Sequence, residues 1–265
     1  MKCIITEKII QGPGVNVAAI RIARLDGESA PRVTRAVRYV NTETSEEYLA
    51  LAGGFAWPGM KPGFAVVVAV KGDGDAPHFK VVAEVEAWGV EELLTSAYDL
   101  YEKYGMNCRQ IPFLWYGDPE SGYSTFINRF NEELSKGGIH NMFFLTPTPH
   151  QGSPDEFPLY LQTIYQLVDE KKKRLHFGPK SKLPSYLRQL SRATAHRGDE
   201  HTLPAITALG YVVSALTSYT PWLVDISLPV TDDHEPWEVS DPDDPFNQAL
   251  YGYEGTGHID IISDM

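Results

Sequence analysis

Phe64-Ala65-Val66-Val67-Val68-Ala69-Val70 is an unbroken apolar run in which valine predominates. A β-branched run of this length predicts a strand buried on both faces, because a half-exposed strand would alternate polar and apolar residues. Turn signals bound it on both sides: Pro58-Gly59-Met60-Lys61-Pro62-Gly63 before it and Lys71-Gly72-Asp73-Gly74-Asp75 after it. Leu49–Trp57 and Phe79–Trp88 read as its neighbours, so the expected unit is a three-stranded antiparallel meander. Helical spacing begins at Val90–Tyr104, where Leu93, Leu94, Ala97, Leu100 and Tyr101 fall on one stripe. A strand over Ile111–Tyr116, a helix over Ser121–Leu134, a strand over Met142–Leu145 and a helix over Leu159–Lys173 follow. Beyond a basic connector containing Pro179 and Pro184, helices are expected at Ser185–Ala193 and Thr202–Tyr219. A meander followed by alternating helices and strands predicts an α/β fold: a mixed sheet with parallel strands added to the meander and helices on its faces.

The chain ends differ from this middle. Residues 1–47 read as an accessory β-rich segment, with strands at Cys3–Ile10, Val15–Ala23 and Arg32–Val40 and a turn at Gln11-Gly12-Pro13-Gly14. Residues 48–222 form the main domain, and residues 223–265 an acidic tail of poorly ordered composition. Cys3 and Cys108 give neither a disulfide framework nor a zinc set, and His150, His176 and His196 have no metal-ligand spacing. The Phe64–Val70 run is too short to span a bilayer, and the N-terminus reaches a charge too soon for a signal peptide. A soluble cytoplasmic protein, of a phage or its prokaryotic host, is the expectation, with no membrane partner.

Charge is distributed by region. Of the formal net charge of −12, the stretch from Asp225 to Met265 holds eleven acidic residues and no Lys or Arg, so the remaining body is near neutral. Within that body, Lys171, Lys172, Lys173, Arg174, Lys180, Lys182, Arg188, Arg192 and Arg197 lie in one stretch that has no acidic residue. Such a field can hold polyphosphate, and DNA is the partner it predicts. A solvated helix face is the plainer alternative. The acidic tail could compete for the basic stretch within the chain, or dock a protein partner through Trp237, Phe246, Tyr251 and Tyr253.

The basic stretch ends directly before Asp199-Glu200, which precede an apolar helix, and Asp118 stands at the end of a strand in Tyr116-Gly117-Asp118-Pro119. Carboxylates delivered to one cleft from a strand end and a helix start suit Mg²⁺ or Mn²⁺, which take oxygen ligands in near-octahedral geometry. Two such ions about 4 Å apart support in-line phosphodiester hydrolysis. Plainer roles exist for each residue. Asp118 can close a turn or cap a helix, and Asp199 and Glu200 can favour the dipole of the following helix. Asp73 and Asp75 read as turn residues, and His201 as a neighbour of the site rather than a ligand.

The order of elements and the acidic positions resemble the nuclease domain of phage terminase large subunits, a branch of the RNase H-like superfamily, over about residues 48–220. Gly53-Gly54-Phe55-Ala56-Trp57-Pro58-Gly59 is similar to the motif that carries the family's first aspartate, with alanine in the aspartate's place. Tyr116-Gly117-Asp118-Pro119 resembles the second motif, and Asp199-Glu200-His201-Thr202-Leu203-Pro204-Ala205-Ile206 the third, with Glu200 on the ligand position and Asp199 beside it. The resemblance implies an RNase H-like sheet and a two-metal DNA endonuclease working in phage DNA packaging. Asp118, Glu200 and Asp199 are the implied metal and catalytic residues, and Ala56 marks a missing one. The chain as written is therefore expected to be inactive, through a disabled aspartate or a lineage that lost catalysis. The motor ATPase that accompanies such nucleases is not expected here, since no G-x-x-x-x-G-K-[ST] segment occurs. Alternatives are a resolvase or repair nuclease acting on branched DNA, and a catalytically dead module that binds DNA or protein.

Overall fold

All seven residues of the apolar run are buried, inside a strand that spans Gly63–Lys71. The computed structural model describes residues 2–25, 32–72, 77–105, 113–119, 122–139, 142–148, 156–168, 173–193, 203–218, 228–229 and 257–263. Among these, strands β1–β12 and helices α1–α5 follow in chain order, in two compact units. One unit comprises Leu51–Gly105 and Phe113–Thr220; the other comprises Met1–Ala50, Met106–Pro112 and Pro221–Met265.

The first unit is built on a six-stranded mixed sheet. Its strands are β5 (Ala50–Ala56), β6 (Gly63–Lys71), β7 (His78–Ala87), β8 (Trp115–Tyr116), β9 (Leu145–Thr146) and β10 (Leu175–His176), in the order β10-β7-β6-β5-β8-β9. β6 and β7 are antiparallel, with a register shift at Val67/Val68. β8 runs parallel to β5, β9 parallel to β8, and β10 parallel to β7. Gly53 and Gly54 show how the sheet is covered. A Cβ at Gly54 would overlap the carbonyl oxygen of Ala208, so only glycine lets helix α5 (Pro204–Ser218) lie directly on β5. A Cβ at Gly53, facing the other way, would overlap the Trp115 ring. That ring belongs to an aromatic layer with Phe113, Phe55 and Phe143, which Phe130 of α2 (Ser124–Lys136) and Tyr101 of α1 (Val90–Tyr104) join. On the opposite face, α5 meets β6 and β8 and is itself flanked by α3 (Glu156–Val168) and α4 (Leu183–Ala193). Its residues Ala205–Ile206 and Ala208–Leu216 are buried, as an apolar helix between a sheet and two other helices must be.

The helix starts differ from expectation in an instructive way. α3 begins at Glu156 and α4 at Leu183, ahead of Pro158 and Pro184, where the sequence suggested Leu159 and Ser185. Proline is tolerated in a first turn because its missing N–H would have no intrahelical partner there. α3 ends at Val168, short of Lys173; Lys173 adopts φ 43°, and the next amide, of Arg174, donates to Leu167 O at 2.8 Å. The chain then runs directly into β10, a strand not expected in the basic connector.

The second unit holds an antiparallel sheet. The three strands expected here, β1 (Lys2–Ile10), β2 (Val15–Leu25) and β3 (Arg32–Asn41), pair in antiparallel order, and β4 (Glu47–Tyr48) pairs with β3. Asn41 Oδ1 accepts from the amides of Glu43 and Thr44 and so closes the turn into β4. Two further strands come from the region read as a poorly ordered tail. β11 (Leu228–Pro229) pairs with β3, and β12 (Gly257–Ser263) pairs along β1 from Lys2↔Ser263 to Lys8↔Gly257.

Candidate functional site

The parallel register of β5 and β8 places Gly53 opposite Trp115 and Gly54 opposite Tyr116. Contacts carry the same register past the strand ends. A Cβ at Gly117 would stand 2.8 Å from the Phe55 carbonyl oxygen, and Trp57 Nε1 donates to the Asp118 carbonyl at 3.2 Å. Ala56 and Asp118 are therefore neighbours at the tips of adjacent parallel strands. Alternation along a strand puts Ala56 on the same face as Gly54, the face that α5 covers. Ala56 is 6% exposed, which is the burial of a packed methyl group, and Asp118 is half-buried.

α5 supplies the third direction of approach. Ala208, whose carbonyl abuts Gly54, lies five residues after Leu203, and Leu203 O accepts from the amides of Ile206 and Thr207 at the helix start. At 1.5 Å per residue the start of α5 is about 7 Å from the glycine contact. Asp199, Glu200 and His201 lie outside the described residues. Asp118 is thus the one carboxylate of the proposed trio whose place is described. No group of three or more His, Cys, Asp or Glu able to hold a metal occurs among the described residues. Among the described residues a single carboxylate beside a methyl group stands at these strand tips, and that pair by itself does not hold two metals.

Of the basic residues, Lys171, Lys172 and Arg197 lie outside the described residues, and Arg192 is on α4 without a described side chain. Lys173 and Lys180 are exposed. The others have protein partners. Arg174 Nε donates to Pro77 O at 2.9 Å, and Arg188 Nε donates to Pro184 O at 3.2 Å. Lys182 Nζ donates to Glu86 at 2.6 Å, and its backbone amide donates to Glu84 at 2.5 Å. Ser181 Oγ also donates to Glu84, and Tyr186 Oη to Glu86. Two carboxylates of β7 thus anchor the first turn of α4, where the helix dipole favours negative charge. Burial pushes the Glu86 carboxyl up, but the hydrogen bonds from Lys182 and Tyr186 outweigh it and hold the group below the usual range.

Two features here had no counterpart in the sequence reading. Beside Asp118, the Trp57 and Tyr123 rings stack at 5.0 Å and 21°, with Tyr123 Oη donating to Pro58 O at 2.9 Å. At the other end of the sheet, between β7 and the edge strand β10, His78 Nδ1 and His176 Nε2 approach to 3.3 Å. Burial, then His78, Lys71 and Lys80, lower the His176 pKa. The Tyr123–Pro58 and His78–His176 contacts join residues 65 and 98 positions apart, and no local pattern announces them.

Comparison with known protein families, with curated proteins and with solved structures gave no match. Among the described residues no helix is long and apolar enough to cross a membrane.

Proposed function

We propose that the sheet unit is an RNase H-like nuclease domain of the terminase type, hydrolytically silent at Ala56. The observation that carries this reading is the adjacency of Ala56 and Asp118 at neighbouring parallel strand tips. A metal-bridging aspartate would need that position. Counting from β5, the sheet places its strands third, second, first, fourth, fifth, with the first, fourth and fifth parallel. That order supports an RNase H-like arrangement. The Gly54 contact brings the beginning of α5 toward the same face, which supports delivery of Glu200 and Asp199 from the segment before it.

DNA is the proposed substrate, with Lys173 and Lys180 the exposed phosphate contacts among the described basic residues. Restoring the carboxylate with Ala56→Asp should give Mn²⁺-dependent nicking of plasmid DNA and a Mn²⁺-induced rise in melting temperature. Asp118→Asn in that background should abolish both. Purified, folded Ala56→Asp protein that neither nicks plasmid nor gains stability from Mn²⁺ would leave the catalytically dead binding module as the better reading.

A further inference from the structure

We infer that Lys71, His78, Lys80 and His176 form a binding site for a phosphate chain on one face of the β6–β7–β10 edge of the sheet. The strand ladders bring them together. Lys71 pairs with His78 between β6 and β7, and His176 pairs with Lys80 between β10 and β7. Directly paired residues project from the same side of a sheet, and His78 and Lys80 stand two apart on one strand, so all four share a face. Val70, Phe79 and Leu175, paired in the next rung, are buried on the other face. On the basic face His78 and His176 are exposed, and Lys71 and Lys80 are half-buried. Arg174, two residues before His176, stands at the border with its Nε anchored on Pro77 O at 2.9 Å.

The charges that act on His176 have one sign. After burial, His78, Lys71 and Lys80 all disfavour its imidazolium form and hold its pKa down. Like charges set opposite one another across strands repel, and a polyanion lying over them removes that repulsion. The two rings are also prepared to donate. Their 3.3 Å contact uses His78 Nδ1 and His176 Nε2, while His78 Nε2 and His176 Nδ1 have no hydrogen-bond partner among the described residues. Two neutral rings in this contact leave one outer nitrogen bare. A single added proton turns both outer nitrogens into N–H donors and keeps the bond between the rings.

Spacing selects the ligand. Neighbouring strands lie about 4.8 Å apart and alternate residues about 6.7 Å apart, so the four groups spread over roughly 10 Å by 7 Å. One phosphate is too small to meet them all, whereas a phosphate chain carries charge on every phosphorus. Lysine serves phosphate as a point charge, and the imidazole N–H groups add directed bonds. The site stands apart from the nuclease reading. Gly63, at the start of β6, lies against Pro58 just beyond β5 and pairs with Ala87, whereas Lys71 and His78 are at the far end of those strands. Phosphate chains occur free, as tripolyphosphate, and as the backbone of nucleic acid; the experiment separates the two.

Calorimetric titration of the full chain with tripolyphosphate at low salt should show binding. Lys80→Gln and His176→Gln should each weaken it about 5- to 20-fold, as loss of a charged hydrogen bond at a partly exposed site implies. Lys61→Gln removes the same charge from the turn at the opposite end of β6 and should leave it unchanged. In proton NMR the histidine pair should titrate at higher pH with tripolyphosphate bound, because the anion favours the added proton. A short DNA duplex is titrated into the same proteins. DNA affinity that falls with tripolyphosphate affinity in Lys80→Gln and His176→Gln would support the site and name nucleic acid as the source. DNA affinity that holds while tripolyphosphate binding is lost would support it and name a free chain. Tripolyphosphate that does not bind, or that binds all three variants alike, would overturn the inference. Polyglutamate that binds as tightly as tripolyphosphate and depends on the same residues would overturn the assignment to phosphate.

Discussion

Adding one methyl group at Gly54 tests the contact that brings α5 to the strand tip. The new Cβ would overlap the Ala208 carbonyl oxygen and would lie 2.9 Å from its carbonyl carbon and 3.0 Å from Val212 Cγ1. Ordinary carbon contacts lie at 3.4 Å or more, and the obstacle is helix backbone, which no rotamer change can move aside. α5 must back away by roughly an ångström or more, loosening Ile206, Leu209 and Val213, which are wholly buried. Overpacking of this kind costs about 2–4 kcal/mol, after the small gain from removing a strand glycine. For a unit of this size that lowers the melting temperature by about 5–15 °C. Gly59→Ala is the matched control, since nothing lies within 4 Å of a Cβ there; its effect should stay within about 0.5 kcal/mol. Thermal unfolding followed by circular dichroism reads both. A Gly54→Ala protein melting within 2 °C of its parent would refute the packing of α5 on β5.

Three further measurements probe contacts the sequence did not announce. Asn131 is buried and bonds both backbone groups of Phe143, at 2.9 and 2.8 Å, so Asn131→Leu should cost about 2–4 kcal/mol in urea unfolding. Glu84→Gln should cost about 1–2 kcal/mol and show as faster amide exchange at Lys182 and Leu183, because the first turn of α4 loses its charged acceptor. The His176 pKa is lower in the folded state than the ordinary 6.5, so the unfolded chain binds the proton more readily and stability should fall as pH drops below about 6.5. His176→Gln should flatten that part of the profile of melting temperature against pH; an unchanged slope would assign the acid sensitivity elsewhere.

What the sequence made legible was whatever has a local period. The β6 run, its turns and the α1 stripe were readable because burial on two faces or one stripe leaves a repeat in the chain. β8, β9 and β10 are two-residue strands whose pairing is decided by partners far away, so β10 was missed and β8 and β9 were drawn too long. Pro184 was placed in the connector ahead of a helix, whereas it lies in the first turn of α4, as Pro158 does in that of α3. Asp118 and Ala56 were singled out from short motifs, and the β5–β8 register makes the two positions neighbours. The Trp57–Tyr123 stack, the partners of Lys182 and the His78–His176 pair are long-range meetings that no single segment encodes.

The pairing of β12 with β1 has a consequence for how the chain is made. Ile4 and Ile261 are partners in that ladder, yet the ribosome adds 5–20 residues per second, so about 13–50 s separate their emergence. The residues of the sheet unit are all synthesised within that interval and can fold as they appear. The backbone groups along the outer edge of β1 must wait without their partner strand. A strand edge left open is a template for pairing with other nascent chains. Expression that is slow, or that stalls near the end, should therefore favour aggregation seeded at β1, and a chaperone that shields strand edges should raise the yield.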